Sequence, residues 1–493
     1  MKRNITKKLI CCLAAAFMFN AFSQTQEETA SKTSYPLANL LCGYLENDLD
    51  LQKLTLEVEK ANLSLEQTKI NQGFDITLST GTMSLYSNGN GTNISVKPSI
   101  KASLPSVKNL SASASSDYQL NTNSNTSTLK DTKLSVSCDI LSKTEAQQKV
   151  TILKSERTVK ETKRKLEATA LAAEKSFYTE LNSLLLEVNS IYTYLQDVYT
   201  HKLDFDKIKA QGYSKTSSTY RIAEMKVLTG EHDIETSLRN LKHDIILFYQ
   251  HCGITLEIDE SKKLEEYIPA DIPEVTAIDF GSLPKEKFSE IEKAKWTYEI
   301  NSMTRKADKF FTLGVNAGYT FNNSTGNAYA DTIDAGVSTV IGGVGLNAGV
   351  SVPVGVADSS PIFTLSASIT PNTFRTRSIT EKTYSLTEQQ ELLDIKTAEK
   401  NYDSALVDCN QSVVNLDWEK GSVKENYDLY CSTENDLHRY YNMGIVTESE
   451  WLTALNNRNL YQIKIELNKI SYILYNNSVC SKFVDLYEDS EEK

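Results

Sequence analysis

The sequence is poor in the residues that build most catalytic and metal sites. It contains five histidines, and none of them has a second ligand at the spacing of a metal site. It also lacks the GxSxG, P-loop and HExxH motifs, and no GxGxxG stands at a strand-to-helix junction. We therefore predict that the protein is not an enzyme and that it needs no metal and no cofactor.

Proline and glycine are also scarce, at 9 and 20 of 493 residues, while 40% of the residues are hydrophobic and 24% are charged. This composition excludes disordered and collagenous chains, and membrane proteins built from many apolar helices. The formal net charge of −12 argues against a nucleic-acid partner, because an acidic surface repels phosphates.

The first 23 residues predict a secretory signal peptide. A basic start at residues 2–8 precedes an apolar stretch at residues 9–19 and a cleavage site of the small-x-small type at residues 21–23. The alternative, a membrane anchor, needs about 20 apolar residues, more than this stretch contains. The remaining cysteines lack the spacing of a disulfide scaffold or zinc site, so we expect mostly buried apolar residues. They are Cys42, Cys138, Cys252, Cys409, Cys431 and Cys480.

Hydrophobic periodicity predicts the same order of elements twice. Residues 24–254 form the first repeat, with a helix, a strand region at 74–141, a long helix from 142 to 210 and a further helix. Residues 284–493 form the second, with a helix to 309, a strand region at 310–370, a long helix at 379–443 and a last helix. Residues 255–283 are interpreted as an acidic linker. Gly212 and Gly444 end the two long helices.

The first long helix carries a heptad seam. Its apolar residues are spaced alternately four and three apart: Phe177, Leu181, Leu184, Val188, Ile191, Leu195 and Val198. A continuous helix from 142 to 210 would measure about 100 Å. Such a rod must pack against partner helices along its length.

The strand regions alternate strictly between apolar and small polar residues. Leu313, Val315, Ala317, Tyr319 and Phe321 are separated by Gly, Asn and Thr, for example. Runs of about ten residues with this alternation and with aromatic ends are typical of transmembrane β-barrel strands. The alternative is a soluble two-layer β-domain with one buried face, because alternation alone does not distinguish the two.

The second turn resembles the outer membrane efflux protein family, the TolC-like channels. The resemblance rests on residues 441–444 (Tyr-Asn-Met-Gly), on residues 450–454 (Glu-Trp-Leu-Thr-Ala), and on the duplicated order of elements. It implies an α+β membrane protein in which three copies close one outer-membrane β-barrel and form a long periplasmic coiled-coil barrel of helices. It also implies that a periplasmic adaptor and an inner-membrane transporter dock at the periplasmic end, and that lipid surrounds the strands.

The resemblance also suggests site residues. Glu450 matches the first of two acidic positions at the constriction of the family, and the second falls on Thr453, which carries no charge. Glu450, Thr453 and Tyr441 are therefore the candidate gate, and the turns at Gly212 and Gly444 are the candidate adaptor contacts. In an alternative interpretation, Glu450 only completes a capping box with Thr447.

The strand number departs from the family. Each repeat holds four β-runs, in the first near residues 74–86, 93–104, 110–120 and 129–140, whereas the family barrel takes two strands from each repeat. The extra runs form a hairpin outside the lipid, or the strands are longer and bent, or the barrel is larger.

The leading hypothesis is a trimeric outer-membrane exit duct of a tripartite efflux or type I secretion system. Such a duct is a passive conduit for drugs or proteins. A periplasmic adaptor or coiled-coil scaffold is the main alternative, but adaptors usually carry one coiled hairpin between β-domains. An exported enzyme is the third.

Overall fold

The computed structural model describes residues 35–486, apart from residues 89–90, 123, 125, 310, 322–330, 342–343, 356–359 and 370. The predicted signal peptide at residues 1–23 lies outside the described residues. Within the described part, no helix combines the length and the apolar character needed to cross a lipid bilayer.

The first half of the chain passes from helix to strand and back to helix. Its described elements are α1 (Leu37–Asn47), α2 (Leu49–Asn71), β1 (Asp75–Ser79), β2 (Met83–Asn88), β3 (Gly91–Val96), β4 (Ser99–Leu104), β5 (Leu110–Asn121), β6 (Thr126–Leu141), α3 (Lys143–Ala210) and α4 (Ser218–His251). Residues 35–72 carry a helical pattern, but the helix is interrupted at Asp48. The reason is local, because the Asp48 carboxylate accepts from the amides of Asp50 (2.8 Å) and Leu51 (3.2 Å) and so begins a new helix.

The second half follows the same order. Its described elements are α5 (Ser289–Lys309), β7 (Thr312–Phe321), β8 (Asp331–Ile341), β9 (Val344–Val354), β10 (Ile362–Ile369), α6 (Pro371–Asn442) and α7 (Glu448–Cys480). The α-helix expected from Pro284 begins only at Ser289, because Phe288 is extended and forms a β-bridge with Phe483. Helix α6 begins at Pro371, eight residues before the start at 379 that periodicity indicates.

The chain divides into two compact units. The helical unit contains the described residues up to Leu56, Arg164–Ser289 and those from Lys400 onward. The sheet unit contains Glu57–Lys163 and Glu290–Glu399. Helices α2, α3 and α6 each contribute a segment to both units.

The heptad seam of α3 forms the core of the helical unit. Six of its seven residues are buried, and Leu195 is partly buried against them. Phe177 lies at the centre, with its ring 5.5 Å from that of Tyr44 in α1 and 5.3 Å from that of Phe248 in α4. Ile470 of α7 belongs to the same cluster. The expected burial of the seam between helices is thus confirmed.

The segment interpreted as a linker is part of this core. Tyr267, Ile268 and Ile272 are buried against the seam. The Tyr249 hydroxyl donates to the carbonyl of Tyr267 at 2.8 Å, and the Tyr267 hydroxyl accepts from the amide of Asp259 at 2.9 Å. These contacts hold the segment against α4.

Charged pairs fasten the helices of the sheet unit. The Arg157 guanidinium of α3 donates to both carboxylate oxygens of Glu292 in α5. Arg305 of α5 binds Glu391 of α6 in the same two-pronged way, at 3.0 and 2.9 Å. Both arginines are nearly buried, so solvent screens these pairs little. Helix α5 is therefore tied both to a helix of the first repeat and to one of the second.

The strands form one antiparallel sheet. Strand β1 pairs with β4, β2 pairs with β3, and both β3 and β4 pair with β5. Strands β1 and β2 are thus one interrupted strand, as are β3 and β4, and the sheet continues from β5 to β10 in chain order. We call these eight side-by-side positions in the sheet lanes: lane 1 is β1 and β2, lane 2 is β3 and β4, and lanes 3 to 8 are β5 to β10.

A close approach of backbones explains one of the interruptions. Gly81 has a φ of +66°, and a Cβ at this position would lie 1.7 Å from the carbonyl oxygen of Lys97. Only glycine fits there. The four β-runs of the first repeat therefore become four lanes, two of them interrupted.

We expect Leu184→Asp to lower the free energy of unfolding by about 3–5 kcal/mol, because it places a carboxylate without a partner in the core. Leu184 is 3% exposed. Ser183→Asp is the matched control, because Ser183 is the preceding residue and is exposed. Thermal denaturation followed by circular dichroism measures both variants, and equal melting temperatures would contradict the assigned core.

Candidate functional site

The two faces of the sheet differ in chemistry across its full width. One row of neighbouring residues crosses all eight lanes on one face: Ile76, Ala102, Ala112, Val136, Ala317, Ala335, Val350 and Phe363. The adjacent row lies on the opposite face: Asp75, Ser103, Ser111, Ser137, Asn316, Gly336, Gly349 and Thr364. Successive residues of a strand point to opposite faces, so one face is apolar and the other is small and polar.

Hydroxyl pairs link neighbouring lanes on the polar face. The Oγ atoms of Ser111 and Ser137 are 2.8 Å apart, and those of Ser113 and Ser135 are 2.7 Å apart. These serines form hydrogen bonds with one another, and their short side chains keep the face hydrophilic. The polar face is therefore suited to contact with water.

The apolar face is uncovered. Leu78 in lane 1 is 75% exposed, and Phe363 and Leu365 in lane 8 are 80% and 83% exposed. A soluble two-layer domain would need a second layer over this face, and the described residues provide none. Soluble proteins rarely expose large apolar patches, and such patches generally mark contact surfaces for lipid or for other proteins.

The two glycine turns end the long helices of the helical unit. Gly212 and Gly444 have φ values of +76° and +72°. At Gly444 the amide donates to Tyr441 O at 2.9 Å and the Ile445 amide donates to Tyr440 O at 2.9 Å, which is a Schellman motif. A Cβ at either glycine meets no described heavy atom within 4 Å, so the conformation alone favours glycine.

Glu450 closes a capping box at the start of α7. Its carboxylate accepts from the amide and the hydroxyl of Thr447 at 2.8 and 2.9 Å, and its own amide donates to Thr447 Oγ1 at 3.3 Å. The hydrogen bond from the Thr447 amide, followed by that from its hydroxyl, holds the pKa of Glu450 below its usual value. The capping role is thus observed, and the exposed carboxylate remains charged at neutral pH.

The other two gate candidates have partners within the chain. The Tyr441 ring stacks on Trp451, with centroids 5.3 Å apart. The Thr453 hydroxyl donates to Ser449 O at 2.7 Å and accepts from Gln196 Nε2 of α3 at 3.3 Å. Tyr441 and Glu450 therefore flank the turn, whereas Thr453 faces a neighbouring helix.

Sequence reasoning missed an aromatic stack at this turn. The Trp451 ring stacks on His438, with centroids 4.9 Å apart, and also on Tyr441, and its indole Nε1 donates to Glu434 at 3.0 Å. Arg458 donates to the second oxygen of Glu434 at 3.2 Å. The spacing of His438 and Tyr441, three residues apart on one helix face, was the available signal. The stack fixes the two helices on either side of Gly444.

Comparison with known proteins identifies the family. The N-terminal domain of TP096X matches residues 40–272, and the C-terminal domain of TP096X matches residues 273–485. The chain belongs to the TP096X family. No curated protein sequence matches it.

Solved structures identify the fold. The open state of the Neisseria gonorrhoeae MtrE outer membrane channel matches with a TM-score of 0.50 and 11% identity, over 90% of this chain and 88% of MtrE. The outer membrane protein VceC of Vibrio cholerae matches with a TM-score of 0.42 and 13% identity, over 90% of this chain and 97% of VceC. The Campylobacter jejuni CmeC outer membrane channel matches with a TM-score of 0.42 and 11% identity, over 93% of this chain and 89% of CmeC. The MtrE match confirms, at the level of fold, the resemblance to outer membrane efflux proteins.

We expect Gly444→Val to lower the free energy of unfolding by about 1–2 kcal/mol, because a side chain with a branched Cβ is strained in the left-handed conformation. Gly421→Val is the matched control, since Gly421 is an exposed glycine within α6 and a Cβ there also meets no described atom within 4 Å. Denaturant titration of both variants measures the difference. A loss equal to that of the control would show that the turn tolerates any residue.

Proposed function

We propose that this protein is a passive exit duct in the outer membrane that extends into the periplasm. Three copies assemble, their sheets close one barrel in the lipid, and their helices form the periplasmic tunnel. A periplasmic adaptor and an inner-membrane transporter dock at the turns and drive export. The single observation that carries the proposal is the apolar row that crosses all eight lanes, with a polar row on the opposite face.

The physical argument concerns the backbone as much as the side chains. A sheet in lipid must pair every backbone N–H and C=O, which requires closure into a barrel. In the described structure β1 pairs only with β4, and β10 pairs only with β9, so each edge is available to another copy. In a periplasmic adaptor, which is surrounded by water, this apolar sheet face would be exposed to water. The fold shared with the MtrE outer membrane channel supports the same choice.

A pair of lysine substitutions tests membrane insertion. Val337 and Ser338 are adjacent in β8, on the apolar and the polar face respectively. We expect Val337→Lys to reduce insertion strongly, because a lysine facing lipid costs about 2–4 kcal/mol near the bilayer centre. Ser338→Lys, which faces water, is the matched control.

The measurement is carbonate extraction of membranes from cells that express each variant, followed by recovery of the trimer in detergent. The unmodified protein and Ser338→Lys should remain in the membrane pellet. If the unmodified protein is extracted by carbonate, or if both lysine variants insert equally well, the outer-membrane proposal is wrong and the adaptor alternative gains support.

Glu450 is the proposed charge of the gate. Three copies of its carboxylate around one tunnel favour cations and hold multivalent ones, because low-dielectric walls focus their field. The Thr447 hydrogen bonds lower the pKa of Glu450, whereas mutual repulsion in the ring raises it. The usual pKa of a glutamate is about 4.3, far below neutral pH, and the Thr447 hydrogen bonds oppose the upward shift, so the ring is expected to be ionised at neutral pH.

We expect Glu450→Gln to weaken both cation preference and block by trivalent cations added from the periplasmic side. Glutamine also serves in a capping box, so the helix start is retained. Glu448→Gln is the matched control, because Glu448 lies in the same helical turn and is also exposed. Recordings from single channels in planar bilayers measure both properties. Unchanged selectivity and block would leave Glu450 as a helix cap alone.

The glycine turns are the proposed adaptor contacts. We expect Gly212→Val and Gly444→Val to lower export and adaptor crosslinking while membrane insertion is retained, because the turns lie in the helical unit and not in the sheet. Gly421→Val again serves as the control. Normal export and normal crosslinking of both turn variants would place the adaptor elsewhere.

A further inference from the structure

We infer that all eight described lanes of each copy lie in the wall of the barrel, so that a trimer closes 24 such lanes, three times the eight described lanes of one chain. The inference rests on the proposed function. It assigns the open edges of the sheet to neighbouring copies. It also makes the passage at the membrane wider than that of a barrel with two strands from each repeat. It also chooses among the three interpretations of the extra β-runs: the first-repeat strands are long and bent, and the barrel is larger.

The first support is the level of the turn between lanes 2 and 3. This turn, residues 105–109, lies beside the end of α2, because the Ser106 amide donates to Gln72 O at 3.2 Å. It also lies beside the end of lane 4, because the Asp139 amide donates to Lys108 O at 2.7 Å. Lane 2 therefore ends, and lane 3 begins, at the end of the sheet where lanes 1 and 4 connect directly to helices. A hairpin outside the lipid would begin at the far end of the sheet.

The second support is the continuity of the apolar face into the outer lanes. Besides the row through Ile76 and Phe363, a second apolar row runs from lane 1 to lane 7: Leu78, Ile100, Ala114, Leu134, Tyr319, Ile333 and Val352. Extra lanes in water would be wetted on both faces and would not need apolar residues in register with the central lanes. Lanes 1 and 8 carry the same two faces as lanes 4 and 5.

The third support is the even number of lanes. All neighbouring lanes are antiparallel, so lanes 1 and 8 run in opposite directions. When copies are related by rotation about the barrel axis, β10 of one copy meets β1 of the next with antiparallel direction. The ladder thus continues across the junction without a break in its alternation. The occupant of each open edge is a second copy of this chain.

The consequence is a change in width. With strands about 4.8 Å apart and tilted by about 40°, each lane occupies roughly 6 Å of circumference. Twenty-four lanes give a backbone diameter of about 48 Å, and twelve lanes give about 24 Å. A folded domain of about 100 residues has a radius of gyration of about 13 Å, which corresponds to a diameter of roughly 34 Å. The diameter of the wider barrel exceeds that of such a domain. The membrane passage would then admit proteins as well as small molecules.

Cysteine pairs on the outer lanes test the inference. On lane 1, Leu78→Cys lies on the apolar face and Thr77→Cys on the polar face; on lane 8, Leu365→Cys and Thr364→Cys form the same kind of pair. Val337→Cys and Ser338→Cys on lane 6 are the reference pair. Each is introduced into a background with the native cysteines of the mature chain replaced by serine. The trimer in lipid vesicles is then treated with a membrane-impermeant maleimide.

We expect the cysteines at 78 and 365 to react at least about tenfold more slowly than those at 77 and 364, because a thiol in lipid is neither ionised nor reached by the reagent. Fast reaction at 78 and 365, with a protected cysteine at 337, would place the outer lanes in water. That result overturns the wide barrel and leaves the proposed function intact. Fast reaction at 337 as well would mean that the sheet is not in lipid, which overturns the proposed function itself.

Electron microscopy of the trimer in detergent gives a second readout that needs no substitution. A ring of about 48 Å at the membrane end is expected, and a ring of about 24 Å would overturn the inference. The two readouts are independent, because one reports on single positions and the other on the whole circumference.

Discussion

The strand register is the constraint on which the two faces of the sheet depend. Side chains alternate with a period of two, so a slip of one residue between two strands moves an entire apolar set to the other face. The junction between β6 and β7, where the two repeats meet, is the most sensitive place. Val136 pairs with Ala317 there, and Ser137 pairs with Asn316. A slip at this one junction would invert four lanes relative to the other four and would leave no continuous apolar face.

Packing between the two repeats plays the corresponding part in the helical unit. Asn456 of α7 donates to Tyr192 O of α3 at 2.5 Å, and Gln196 of α3 donates to Thr453 of α7. The seam of α3 is closed by Ile470 of the same helix α7. The apolar seam of a long helix in one repeat is thus partly covered by a helix of the other repeat. This agrees with the expectation that so long a helix packs against partner helices. The same contact joins the Thr453 hydroxyl to α3, so of the two family positions at this turn only Glu450 carries an exposed charge.

Local pattern predicted the local structure well. Alternation located the β-runs, the heptad spacing located the seam, and Thr447 with Glu450 gave the start of α7. What pattern could not give were features that depend on distant residues. The late start of α5 follows from the pairing of Phe288 with Phe483, and the position of Trp451 follows from a stack with residues of another helix. Periodicity also could not say that all β-runs join one sheet, because it describes faces and not neighbours.

The composition of the polar face fits the proposed location of this sheet in a membrane. Its central lanes carry Gly, Ser and Asn, which have low intrinsic preference for strands. Such a sheet gains little from side-chain packing on either face in water, because the apolar face has no covering layer among the described residues. In lipid the apolar face is in contact with acyl chains and needs no covering layer. The free-energy cost of an unpaired backbone N–H or C=O group also rises sharply there. The small residues then keep the polar wall thin, and the ladder itself becomes the main source of stability. A closed barrel is the arrangement in which a sheet of this composition loses no backbone hydrogen bond.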